Sequence, residues 1–164
     1  MAITLPDWLT GLMSELGLEF PKADEDEIAA LGAAWTALGT DIAARRTEAD
    51  ATAAAVWDDS TGADIDAFKT WWQKEDSPPK SLEDGATGAG VTGTALQACA
   101  LIVIGLKIYI IGELIATAFA IVAAIAAAIA SGGLAGVAVI AVKQAAKEAI
   151  GLAIEQAVTA ILEG

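Results

Sequence analysis

Asp24-Glu25-Asp26-Glu27-Ile28-Ala29-Ala30-Leu31-Gly32-Ala33-Ala34-Trp35-Thr36-Ala37-Leu38-Gly39-Thr40-Asp41-Ile42 opens the stretch that decides the fold. Asp24 is a natural N-cap, and Glu27 stands three residues on, in capping-box spacing. Glu25, Asp26 and Glu27 also suit the positive end of a helix dipole. Ile28, Leu31, Trp35, Leu38, Ile42, Ala49 and Val56 then recur in three- and four-residue steps, with Arg45 as the charged interruption. That spacing predicts a long helix with a narrow coiled-coil-like seam. From Asp24 to Val56 it would run about 50 Å at ~1.5 Å per residue. Trp57-Asp58-Asp59-Ser60-Thr61-Gly62 breaks it. A third helix, with Ile65, Phe68 and Trp72 on one face, runs on to near Asp76. The second and third helices are expected to pair as an antiparallel hairpin in which Trp35 faces Phe68.

Upstream, Leu5-Pro6-Asp7-Trp8-Leu9 begins a short helix with Leu5, Trp8, Leu9, Leu12 and Leu16 on one face, ended by Gly17. Proline suits a first helical turn because its missing N–H would be unpaired there anyway. Downstream, residues 77–95 hold Pro78 and Pro79, then four glycines among Ala, Thr and Ser. They predict a linker, in which Ser81-x-x-Asp84 could restart a helix. From Leu96 to Ala130 the only charges are Lys107 and Glu113, too far apart for an i,i+4 pair. Ser131-Gly132-Gly133 reads as a break, and Leu134 to Leu162 as the last helix. The expected organisation is an acidic hairpin over 1–76, a linker over 77–95 and an apolar Ala-rich hairpin over 96–164.

Composition agrees on an all-α fold, a bundle of two helical hairpins. The 164 residues are 55 % hydrophobic yet only 5 % aromatic, and alanine, the best helix former, explains much of that contrast. β-Branched runs between turn residues are nearly confined to 101–111. The formal charge of −13 lies almost wholly in residues 1–84, which carry −12. Such a charge repels phosphate backbones, so nucleic acid is not an expected partner. It also keeps the first half off anionic lipid headgroups. The N-terminus lacks a basic n-region and carries Asp7 and Glu15, unlike a secretory signal peptide. Enzymatic activity is not expected. There is no histidine, the sole cysteine (Cys99) sits among apolar residues, and no Gly-rich loop joins a strand to a helix. No catalytic, cofactor or metal residues are assigned.

Trp57 and the stretch Gly62-Ala63-Asp64-Ile65-Asp66-Ala67-Phe68-Lys69-Thr70-Trp71-Trp72 carry a family resemblance. They resemble the W-x-G family of small helical hairpins exported by type VII secretion. That family carries Trp-x-Gly in the hairpin turn, Ala-Phe five and six residues after the glycine, and often Trp at ten. Ala67, Phe68 and Trp72 match those offsets, whereas Trp57 precedes Gly62 by five residues rather than two. Tyr109 and Glu113 resemble the family's Y-x-x-x-[DE] export signal. The N-terminal part, from Leu5-Pro6 through Phe20-Pro21 and Ala23-Asp24-Glu25-Asp26 to Trp35, is similar to the N-terminal domains of actinobacterial polymorphic toxins, the outer-membrane-channel type among them.

The resemblance implies a secreted N-terminal export and delivery domain of a polymorphic toxin, with Trp57, Gly62, Phe68, Trp72, Tyr109 and Glu113 as its secretion motif; the alternatives are a membrane-inserting channel or pore component and a structural oligomerisation bundle. It implies the type VII secretion machinery as partner, together with a W-x-G partner chain or a homo-oligomer. Three readings of the apolar half stay open: insertion in a membrane or the cell envelope, burial in a four-helix bundle, or burial against a separate chain. The uncharged run 114–142 exceeds the ~20 residues that cross a bilayer, and Gly132 and Gly136 form a single G-x-x-x-G. A run of this kind is not expected to leave the chain a water-soluble monomer.

Overall fold

A computed structural model describes residues 2–131 and 135–163. Its described residues form five helices and no strand: α1 (Asp7–Glu15), α2 (Glu25–Asp59), α3 (Ala63–Trp72), α4 (Pro78–Ser131) and α5 (Ala135–Glu163). The protein is all-α. Gly132, Gly133 and Leu134 lie outside the described residues, and with them the expected break and the Gly132 end of the G-x-x-x-G pair. By its contacts the chain divides into two units, one of Ile28–Ala98 and the other of Met1–Glu27 with Cys99–Gly164.

In the unit of Ile28–Ala98, residues 77–95 are helix from Pro78 on, which corrects the linker reading. The two prolines occupy the first turn, where no intrahelical N–H is required, so they start the helix instead of preventing it. The hydroxyls of Thr87, Thr92 and Thr94 bond back to the carbonyls of Glu83, Gly88 and Gly90. The glycines are used for close approach. A Cβ on Gly93 would lie 2.7 Å from the Gly32 carbonyl and 2.4 Å from Thr36 Oγ1, and one on Gly39 would lie 2.8 Å from the Ala86 carbonyl. These contacts, with an ion pair from Arg46 to Glu83 (3.4 Å), run antiparallel. The second limb of the long hairpin is therefore the first part of α4, and α3 is a short piece set between the limbs. A consequence is that Gly32, Gly39 and Ala53 form the buried face of α2. Leu31 (51 % exposed), Trp35 and Leu38 of the expected seam face outward, and Trp35 does not meet Phe68. The glycines, having no Cβ, let the two backbones approach more closely than larger side chains on that face would allow.

In the other unit, α5 runs antiparallel to residues 99–131 of α4, and α1 lies on both. Leu9 and Met13 of α1, with Leu16 at its C-cap, are buried in one cluster with Ile110, Leu114, Ala146 and Ile150. The buried face of α1 is thus Leu9-Met13-Leu16, and Trp8, expected on it, is 64 % exposed. Gly17 ends α1 as expected, with a φ of 68° that suits glycine. The Gly17 N–H donates to the Ser14 carbonyl and the Leu18 N–H to that of Met13, a Schellman closure. The start of α2 is capped as read, the Asp24 carboxylate accepting from the N–H groups of Asp26 and Glu27 at 3.0 and 3.1 Å.

Candidate functional site

The aromatic residues of the turn come together where α2 ends and α3 begins. α2 carries Trp57 in its last turn, and Gly62, at φ 145°, turns the chain into α3. The Asp66 N–H closes on the Gly62 carbonyl at 3.0 Å. Phe68 is the hub. Its ring centroid is 5.8 Å from Trp57, 6.1 Å from Trp71 and 5.6 Å from Trp72. Tilted aromatic contacts at such distances add ~0.5–1.5 kcal/mol each beyond their buried area. The Lys69 ammonium sits 5.6 Å from the Trp57 centroid, a cation–π contact. Trp72 Nε1 donates to Asp50 at 2.9 Å, and Asp50 pairs with Arg46 at 3.5 Å, which fixes the angle of α3 against α2. Beside the cluster lies an open groove of about 440 Å³ lined by Glu48, Ala49, Thr52, Val56, Phe68 and Trp72. Trp71 stays 45 % exposed. The arrangement is an aromatic knob beside an apolar groove with charged edges.

Of the six residues of the expected motif, Trp57, Gly62, Phe68 and Trp72 share this site. Tyr109 and Glu113 belong to the other unit. They stand one turn apart on α4, Tyr109 45 % exposed and Glu113 half-buried. Tyr109 edges a second groove of about 440 Å³ between α4 and α5, whose far wall includes Ala149 and Leu152.

Residue-by-residue reading missed the clamp around Lys107. This lysine is 2 % exposed. Its ammonium donates to the Ala23 carbonyl at 2.6 Å and to the Glu25 carboxylate, and lies 5.9 Å from the Phe20 ring. Glu25 also accepts from the Ile3 N–H. The Ile3 N–H first, and Lys107 second, hold the Glu25 carboxyl down from 4.5 to about 2. The signal was available: a lone cation in an apolar run must find a buried acceptor. Nothing local in the sequence marks Glu25, among four consecutive acids, as that acceptor.

Comparison with protein families matches residues 2–150 to the WXG100-like domain. No curated protein and no solved structure matches the chain.

Proposed function

The chain belongs to the WXG100-like domain family, helical proteins secreted by type VII systems, and we propose that it is the non-enzymatic export and delivery module of a type VII-secreted toxin. The observation that carries this reading is the knob of Trp57, Phe68, Trp71 and Trp72 beside its groove at the α2–α3 turn. The secretion machinery would grip the knob, and Tyr109 with Glu113 would supply the second recognition point. The exposed stripe of Leu31, Trp35 and Leu38 would take a partner chain. Secretion assays test the reading. Trp57→Ala is expected to abolish export with helicity retained. Gly62→Ala should do the same with a lower melting temperature, because an alanine at φ 145° is strained. Normal export of both variants would sink the proposal.

A second reading, insertion of the α4–α5 tip in a membrane, has its own support. The most apolar window of α4 has a mean hydropathy of 2.3 and is only 17 % buried, unlike the core helix of a water-soluble bundle. Phe119 (73 % exposed), Val122, Ile129 (80 %), Val137 and Ile140 lie open on both helices, with no charged residue between Glu113 and Lys143. Lipid can cover such a surface on all sides, whereas a single partner helix covers one stripe.

A further inference from the structure

We infer that the open groove bordered by residues 2–5 and 18–24 docks an extended segment of another protein, in which apolar residues alternate with lysine or arginine and the main chain pairs with the groove's free backbone groups.

The groove measures about 560 Å³, within the ~300–1,000 Å³ range of ligand clefts. Both of its walls are non-helical: residues 2–6 lead into α1, and residues 18–24 lead away from it. Ile3, Leu5, Met13, Leu18 and Phe20 make the lining apolar. Leu5, Leu18 and Phe20 are also packed against the core cluster, which fixes them in place. Each wall contains an X-Pro step, Leu5-Pro6 and Phe20-Pro21. The proline ring disfavours helix in the residue before it and drives that residue to extended backbone. Pro6 itself, at φ −57° and ψ 138°, is in the polyproline II region.

The walls are held before any partner arrives. The Glu25 carboxylate accepts from the Ile3 N–H on one wall and from Lys107 of α4. Lys107 donates in turn to the Ala23 carbonyl on the other wall at 2.6 Å. A site preformed in this way spares a ligand the cost of ordering it. The walls do not, however, pair with each other. Among the described residues, the N–H groups of Thr4, Leu5, Glu19, Phe20 and Lys22 have no hydrogen-bond partner. Unpaired extended main chain beside an apolar cleft is what an added strand requires. The two-residue period of such a strand sends every second side chain to the apolar lining and the others to the rim.

Charge selects the side chains at the rim. Residues 1–27 carry seven acids and one lysine. Glu25 is engaged by Lys107 and Glu15 by Lys143, but Glu19 and Asp24 line the groove itself. The Glu19–Lys22 pair, 3.4 Å long, is 86 % exposed on both sides, so a competing cation displaces it at little cost. Lysine or arginine therefore complements the rim, and an acidic segment is repelled. A bare acyl chain would fill the lining but leave the backbone donors unmet.

The test titrates the full chain, in dodecyl maltoside, with a blocked heptapeptide of alternating lysine and leucine. Amide NMR shifts are expected at Thr4, Leu5, Phe20 and Lys22. Thr10 and Glu19 both line the groove and are exposed, so substitutions there spare the core. Thr10→Trp fills the cleft and is expected to weaken binding about tenfold or more. Glu19→Lys should weaken it roughly three- to tenfold and steepen no other property of the chain, its melting temperature included. Methylating the peptide's leucine nitrogens removes its donors and should cost about tenfold. A peptide with glutamate in place of lysine should not bind. The proposal is overturned if the lysine–leucine peptide does not bind, or if it binds the Thr10→Trp variant as it binds the wild type. It is overturned equally by shifts confined to Phe119 and Ile129 or to the Trp57–Phe68 turn, and by undiminished binding of the methylated or the glutamate peptide.

Discussion

Glu25 shows how much one residue's meaning depends on what folds onto it. In the sequence it is one of four acids at a helix start, and such groups are most often solvated. In the structure it is 2 % exposed between the Ile3 N–H and Lys107. Its carboxyl is held at about 2, below the usual 4.5. The unfolded chain therefore takes up this proton near pH 4.5 and the folded one only near 2, so stability from Glu25 is complete above 4.5 and is lost as pH falls through 2. The urea midpoint of the wild type is expected to fall more steeply across that window than that of Glu25→Gln, and the two should converge at its acid end. Parallel curves would show that the clamp contributes nothing. Phe68 could be singled out from its offset to Gly62, yet its ring neighbours could not, because ring contacts depend on how α3 folds back. It is half-buried among three indoles rather than set against Trp35. Phe68→Ala is expected to cost about 1–3 kcal/mol by denaturant titration, less than the ~3–5 of a fully buried ring.

At the scale of elements, the helix starts and stops were readable wherever capping chemistry was local. Asp24 caps α2, Gly17 closes α1 and Gly62 precedes α3, as their residue types require. Pairing was not readable in the same way. Hydrophobic spacing pointed to the Leu31-Trp35-Leu38 side of α2, and the glycine face took the partner instead. A periodicity argument weights large side chains and counts glycine as a gap, whereas the helix pair uses those gaps as its contact. The same blind spot turned 77–95 into a linker. Two substitutions separate the roles of glycine. Gly93→Ala would push a methyl to within 2.4 Å of Thr36 Oγ1 and 2.7 Å of a backbone oxygen. It is expected to destabilise by about 1–3 kcal/mol, as overpacking does. Gly105→Ala meets nothing within 4 Å and should stabilise by up to ~1 kcal/mol through helix propensity alone. Equal effects of the two in thermal melts would mean that the close approach at Gly93 carries no weight.

For the whole molecule, the all-α class and the division into acidic and apolar stretches could be read from composition, since alanine content and charge placement do not depend on pairing. What covers the apolar surface could not, because coverage is a property of tertiary contact. Ala124→Asp puts a carboxylate in the middle of the uncharged run, where insertion costs roughly 2.5–3.5 kcal/mol. Vesicle or detergent partitioning is expected to fall by a factor of a hundred or so. A monodisperse monomer in plain buffer, unaltered by this change, would remove the membrane reading and leave a self-contained bundle. The glycine contacts between α2 and α4 bear also on calibre. Helices separated by ordinary side chains keep their axes ~8–10 Å apart, and here backbone meets backbone at Gly32–Gly93 and Gly39–Ala86. The girth of this hairpin is therefore set by its backbone and not by its side chains, so a side chain added at Gly32, Gly39 or Gly93 would widen it.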